Sequence, residues 1–204
     1  MEFHSDTYRR ELFKNRVMNE NLKRKQRLTE SQTATIGEFI KYACKNLGIQ
    51  QLPNKLTLSH DTDAAKEKRS FGYFDPNNKR IWVYVKNRNM ADILRTLAHE
   101  LIHMRQHRQR CFEDVSQRHA TAFNEHPDAA EYLSDPDEID AYAFNIAQEL
   151  KIHPNPIQKL NQLKDIKLED SINLWAYVQT FDKNPDHPVI KRLLKKIYKN
   201  LKGS

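Results

Sequence analysis

Glycine, cysteine and long apolar runs are all scarce in this chain, and each scarcity closes a class of function. With four glycines in 204 residues, neither GxxxxGK nor GxGxxG occurs, so the phosphate-cradling loops of nucleotide enzymes are missing. The two cysteines, Cys44 and Cys111, fit neither a disulfide framework nor a CxxC metal knuckle and read as ordinary thiols. No apolar run approaches the roughly 18 residues of a membrane span, and Met1 to Arg10 lacks the apolar stretch of a signal peptide. The expectation is a soluble, cytoplasmic protein with no membrane partner. Hydrophobic residues, at 38%, still suffice for a core, which excludes full disorder.

Basic residues crowd both ends of the chain. Residues 8–28 hold eight Lys or Arg against Glu11 and Glu20, and residues 187–204 hold six against none. Since the net charge is +7, the body between them is mildly acidic. Clustered cations suit a solvated helix face first and phosphate contacts second, so the basic termini make nucleic acid a candidate partner.

Between the ends, apolar periodicity sets the elements. Ile36, Phe39, Ile40, Ala43, Cys44 and Leu47 repeat at helical spacing after a polar hinge at 29–35, and Gly48 is a stop signal. Leu56 to Ser59 reads as a short strand. Phe71 to Phe74, the turn Asp75-Pro76-Asn77-Asn78 and the run Ile81 to Val85 read as a hairpin, with its second strand apolar on both faces and therefore interior. Asn89 or Asp92 can cap a helix that carries Ile93, Leu94, Leu97, Leu101 and Ile102 to about Arg108. A second long helix spans about 137–150 and is ended by His153-Pro154-Asn155-Pro156. Three further helices follow at 157–163, 172–181 and 189–201, the last with Val189, Leu193, Ile197 and Leu201 as an apolar stripe.

The first long helix carries His99-Glu100-Leu101-Ile102-His103, the pattern HExxH. Residues four apart on a helix differ by about 40° in direction and 6 Å in rise, so both imidazoles can reach one metal ion, with Glu100 beside them as general base for an activated water. By composition the pattern arises by chance in roughly a few chains per hundred, so its setting on an amphipathic helix after an apolar strand is what gives it weight. A catalytic zinc usually takes a third protein ligand. His107 is set aside, because eight residues separate it from His99 by about 12 Å along the axis. His119, Glu125, His126 and Glu138 remain as candidates. Glu138 opens a helix, where an acid also complements the helix dipole.

The string from His99 to Gln106, with Glu138-Ile139-Asp140-Ala141-Tyr142 beginning 35 residues after His103, resembles gluzincin-type metallopeptidases of phages and bacteria. Those pair HELxHxxQ with a later P-x-E-I-E-A-type helix. It is also similar to the helix arrangement of ImmA/IrrE-type zincins. The resemblance covers about residues 80–150 and implies a zinc site of His99, His103 and Glu138. Tyr142 stands where related families often carry Asp or Asn, and Asp137 where they carry an aromatic residue. A second resemblance, to the SprT-like fold, implies His119 as third ligand and a protease that works near nucleic acid.

The expected protein is therefore α+β and zincin-like. It has a small, mostly antiparallel sheet packed on the HExxH helix and the Glu138 helix. A basic arm at 1–33 precedes the metallopeptidase domain at 34–153, and a helical extension at 154–204 follows. Its substrate is a protein or peptide, bound as an added strand on Phe71 to Phe74 or Ile81 to Val85. Glu100 is the catalytic base, and Tyr142, His119 or an arginine is the candidate oxyanion partner. The competing reading is a non-catalytic zincin scaffold that binds nucleic acid or a protein.

Overall fold

The computed structural model of the protein describes residues 28–61, 71–109 and 129–202. These fall into two compact units, the first within 28–109 and the second within 129–202. The basic N-terminal segment up to residue 27 lies outside the described residues.

The first unit opens with helix α1, Glu30–Leu47. Its start is fixed by a capping box: the Thr29 hydroxyl accepts from the Gln32 amide at 3.1 Å, and the Gln32 side chain accepts from the Thr29 amide at 2.8 Å. The polar stretch expected as a hinge is thus the first turns of the helix, because capping chemistry starts it before its apolar period begins. Gly48 ends it at φ 64°, its N–H returning to the Cys44 and Lys45 carbonyls. Cys44 is buried on the inner face, and burial pushes its thiol up, as in a cysteine that packs within a core.

Strands β1 (Lys55–Ser59), β2 (Gly72–Asp75) and β3 (Arg80–Tyr84) form a sheet in the order β1-β3-β2. The hairpin is as expected. Its turn is tied by Asp75, whose carboxylate accepts from the Asn77 and Asn78 amides at 3.0 and 3.2 Å. β3 is central, with Ile81 and Val83 fully buried. The expectation of a mostly antiparallel sheet is corrected, since β2 pairs antiparallel with β3 but β1 pairs parallel. The 20 residues between Ser59 and Arg80 give the chain the length to return in the same direction beside β1. A central β3 also excludes Ile81 to Val85 as an edge on which a substrate strand could be added.

Helix α2, Met90–Gln109, carries the HExxH residues. Asn89 caps it, accepting from the Asp92 amide at 2.8 Å. It packs on α1 and on β2 and β3, burying Ile93, Leu97, Leu101, Ile102 and Met104. Arg88 ties the junction. Its guanidinium donates to the Tyr84 carbonyl at 2.9 Å, the Asp92 carbonyl at 2.6 Å and the Thr96 hydroxyl at 2.7 Å, and it lies over the Phe71 ring at 4.6 Å.

The described elements of the second unit are all helices. Helix α3, Ala129–Ser134, precedes α4, Pro136–Leu150, the expected Glu138 helix. Asp135 caps α4 by accepting from the Asp137 amide at 2.7 Å, and Pro136 occupies a first-turn position where it has no amide to leave unpaired. Then come α5 (Pro156–Asn161), a 3-10 turn at Leu163–Asp165, α6 (Ile172–Thr180) and α7 (Pro188–Lys202). Glu149 of α4 accepts from Asn173 Nδ2 at 2.8 Å and from the Ser171 hydroxyl, fixing the start of α6. The basic helix α7 packs on α4 as its apolar stripe implied. The buried set is Ile190, Leu193 and Ile197, so the stripe begins at Ile190 and not Val189. Lys196 pairs with Asp140 of α4 at 2.7 Å, while Arg192, Lys195, Lys199 and Lys202 face solvent. Among the described residues no helix is long and apolar enough to cross a membrane.

Candidate metal centre

The centre is built first from helix geometry within the first unit. His99 and His103 stand one turn apart on α2, 9% and 7% exposed. Their Nε2 atoms are 2.9 Å apart, and the rings meet edge to face with centroids 4.6 Å apart. The His103 Nδ1 lies 2.9 Å from Gln106 Oε1. An amide oxygen can only accept, so with the amide in this orientation Nδ1 is the donor, and a neutral ring then presents a bare Nε2. In the hydrogen-bonded pair, His99 Nε2 is then the donor and His103 Nε2 the acceptor.

That pair fits a metal ion. Zinc binds imidazole nitrogen at about 2.0–2.1 Å, which separates two nitrogens by about 3.3 Å at a tetrahedral angle. The two rings therefore need to part by only about 0.4 Å for a cation to take the place of the shared proton. The backbone holds them aimed at a common point because four residues bring the helix almost full circle.

Glu100 follows His99 directly and is 6% exposed. Its neighbour across the packing contact is Gly72, at the start of β2. A Cβ built at Gly72 would sit 2.6 Å from Thr96 Cγ2, 2.7 Å from the Trp82 carbonyl oxygen and 3.5 Å from Glu100 Cγ. Only a glycine lets the strand come this near the helix at the turn that carries Glu100. His107 stands apart from the pair, its ring edge-on to Phe74 at 5.7 Å, and burial, then Lys79 and Arg108, hold its pKa below the usual histidine value.

In the second unit Glu138 lies in the first turn of α4 and is 5% exposed. Tyr142, one turn on, is buried with its ring edge-to-face on Tyr177 at 5.5 Å. The Tyr177 hydroxyl is buried with no hydrogen-bond partner among the described residues. Burial, together with the charges of Glu138 and Asp135, drives its pKa well above the usual tyrosine value.

As donors, the first unit offers the two buried imidazoles of His99 and His103, and the second offers the buried carboxylate of Glu138, each of a kind that binds zinc. The alternatives His119, Glu125 and His126 lie outside the described residues. Gln106, quoted above only as the end of the HELxHxxQ string, and Gly72 are two contributors to which spacing arguments gave no role. The signals for them were a polar side chain one turn after the second histidine of the motif, and a glycine inside a strand. No family model, no curated protein and no solved structure matches the chain.

Proposed function

We propose that this protein is a zinc-dependent peptidase of zincin-like fold, with His99, His103 and Glu138 as metal ligands and Glu100 as general base. The observation that carries the reading is the His99–His103 pair, two buried imidazoles with Nε2 atoms 2.9 Å apart in the same helical stretch as Glu100. Three protein ligands are what a catalytic zinc takes, with a position left for reactants. Glu138 is preferred as the third for its buried carboxylate in the opening turn of a capped helix and for its place in the motif.

When bound, zinc polarises a carbonyl and lowers the pKa of water. The chain supplies the rest. Glu100 accepts a proton from the attacking water at its carboxylate and delivers it to the leaving nitrogen, so that the C–N bond breaks to a carboxylate and an amine. An extended peptide would add to strand β2, an outer strand among the described residues in the sheet that packs on α2, and so lie beside Glu100. Tyr142, one turn from Glu138, is the candidate partner of the developing oxyanion.

Elemental analysis of the purified protein, with digestion of a proteome-derived peptide library, tests this. About one zinc per chain is expected. His103→Ala should lose it, whereas Glu100→Gln should keep it and lose hydrolysis by about 100-fold or more, because a base is not a ligand. Retained metal in His103→Ala sinks the site. If Glu138→Ala holds zinc like wild type and His119→Ala does not, the SprT-like reading replaces this one. A zinc-loaded wild type no more active than Glu100→Gln would leave the non-catalytic scaffold, bound to a protein or to nucleic acid through its basic ends.

A further inference from the structure

The amide of Gln106 is 3% exposed, one turn beyond His103 on the same face of α2. Its oxygen faces His103 Nδ1 at 2.9 Å. A neutral imidazole has one N–H and one bare nitrogen, and the two tautomers are close in energy when nothing distinguishes them. Here something does. With the amide oxygen turned toward Nδ1, the other tautomer would set two lone pairs against each other until the amide turned over, so the orientation of the amide is what selects Nδ1–H. The other tautomer would also put a proton on Nε2, the atom turned toward His99.

We infer that Gln106 is a positioning residue: it locks His103 as the Nδ1–H tautomer and so keeps Nε2 available as a ligand atom. This rests on the metal-site reading above for its purpose, though not for its geometry. Because the acceptor is a neutral amide and not a carboxylate, it orients the ring without adding a negative charge beside it. The metal site then carries no more charge than its own ligands supply. The nitrogen that must stay bare is thus set by a side chain that touches neither metal nor substrate.

Two substitutions separate orientation from packing. Gln106→Met keeps the volume and removes the acceptor, and Gln106→Glu keeps an acceptor oxygen. Long-range proton–nitrogen spectra of the metal-free protein, with His103 assigned by its absence in His103→Asn, should show Nδ1–H in wild type and Gln106→Glu and a tautomer mixture in Gln106→Met. Zinc affinity by chelator competition should fall about 10- to 100-fold in Gln106→Met and stay within a few-fold of wild type in Gln106→Glu. A His103 that remains Nδ1–H in a folded Gln106→Met variant overturns the assignment. A wild type that binds no zinc, while Gln106→Met still scrambles the tautomer, removes the metal site and leaves the assignment standing.

Discussion

At Tyr177 the chain keeps a phenol where a benzene ring would pack as well. Its hydroxyl is wholly enclosed and unpaired among the described residues, near enough to Glu138 and Asp135 for their charges to oppose its ionisation. A buried hydroxyl without a partner costs about 1–3 kcal/mol. Tyr177→Phe is therefore expected to raise unfolding stability by about 1 kcal/mol in urea titrations. A loss of that size would mean the hydroxyl is bonded after all. At this scale the sequence was legible where spacing alone decides. His99, Glu100 and His103 follow from helical arithmetic, and His107 is excluded by it. Gly72 and Tyr177 were not legible, since the first depends on how near a strand passes to a helix and the second on what surrounds a ring in the folded state.

Among elements, the sequence was most informative at helix ends and least informative between strands. Asp135, Ser171 and Gly48 cap as their side chains or backbone freedom require. Thr29 also caps, but its capping box looked like a hinge because polar residues precede the apolar period. The parallel pairing of β1 had no local signal, because strand direction is settled by which neighbours complete β3 and not by anything within Leu56 to Ser59. The junction of sheet and helix depends on Arg88, whose planar fork meets two carbonyls and a hydroxyl from three places in the chain. Lysine has one point of charge and cannot span them. Arg88→Lys should cost about 2–3 kcal/mol of stability by denaturant titration and loosen β3 from α2, visible as faster amide exchange at Tyr84 and Val85.

For the whole molecule, the scarcity of glycine has a conformational price. Besides Gly48, left-handed backbone among the described residues falls on non-glycine positions, Lys79 and Asn87 in the first unit and Asp182 and Lys183 in the second. A lysine held there gives up about 1 kcal/mol that glycine would not, less a few tenths for the freedom glycine adds to the unfolded chain. Lys79→Gly and Lys183→Gly should each stabilise by about 0.5–1 kcal/mol, and in calorimetry each should raise the Tm of its own unit by about 3–5 °C. The two substitutions lie in different units, so the double variant should show both shifts together. The same pair serves as thermal labels, because a melting step that moves with Lys79→Gly and ignores Lys183→Gly reports on the half of the chain that carries the two histidines.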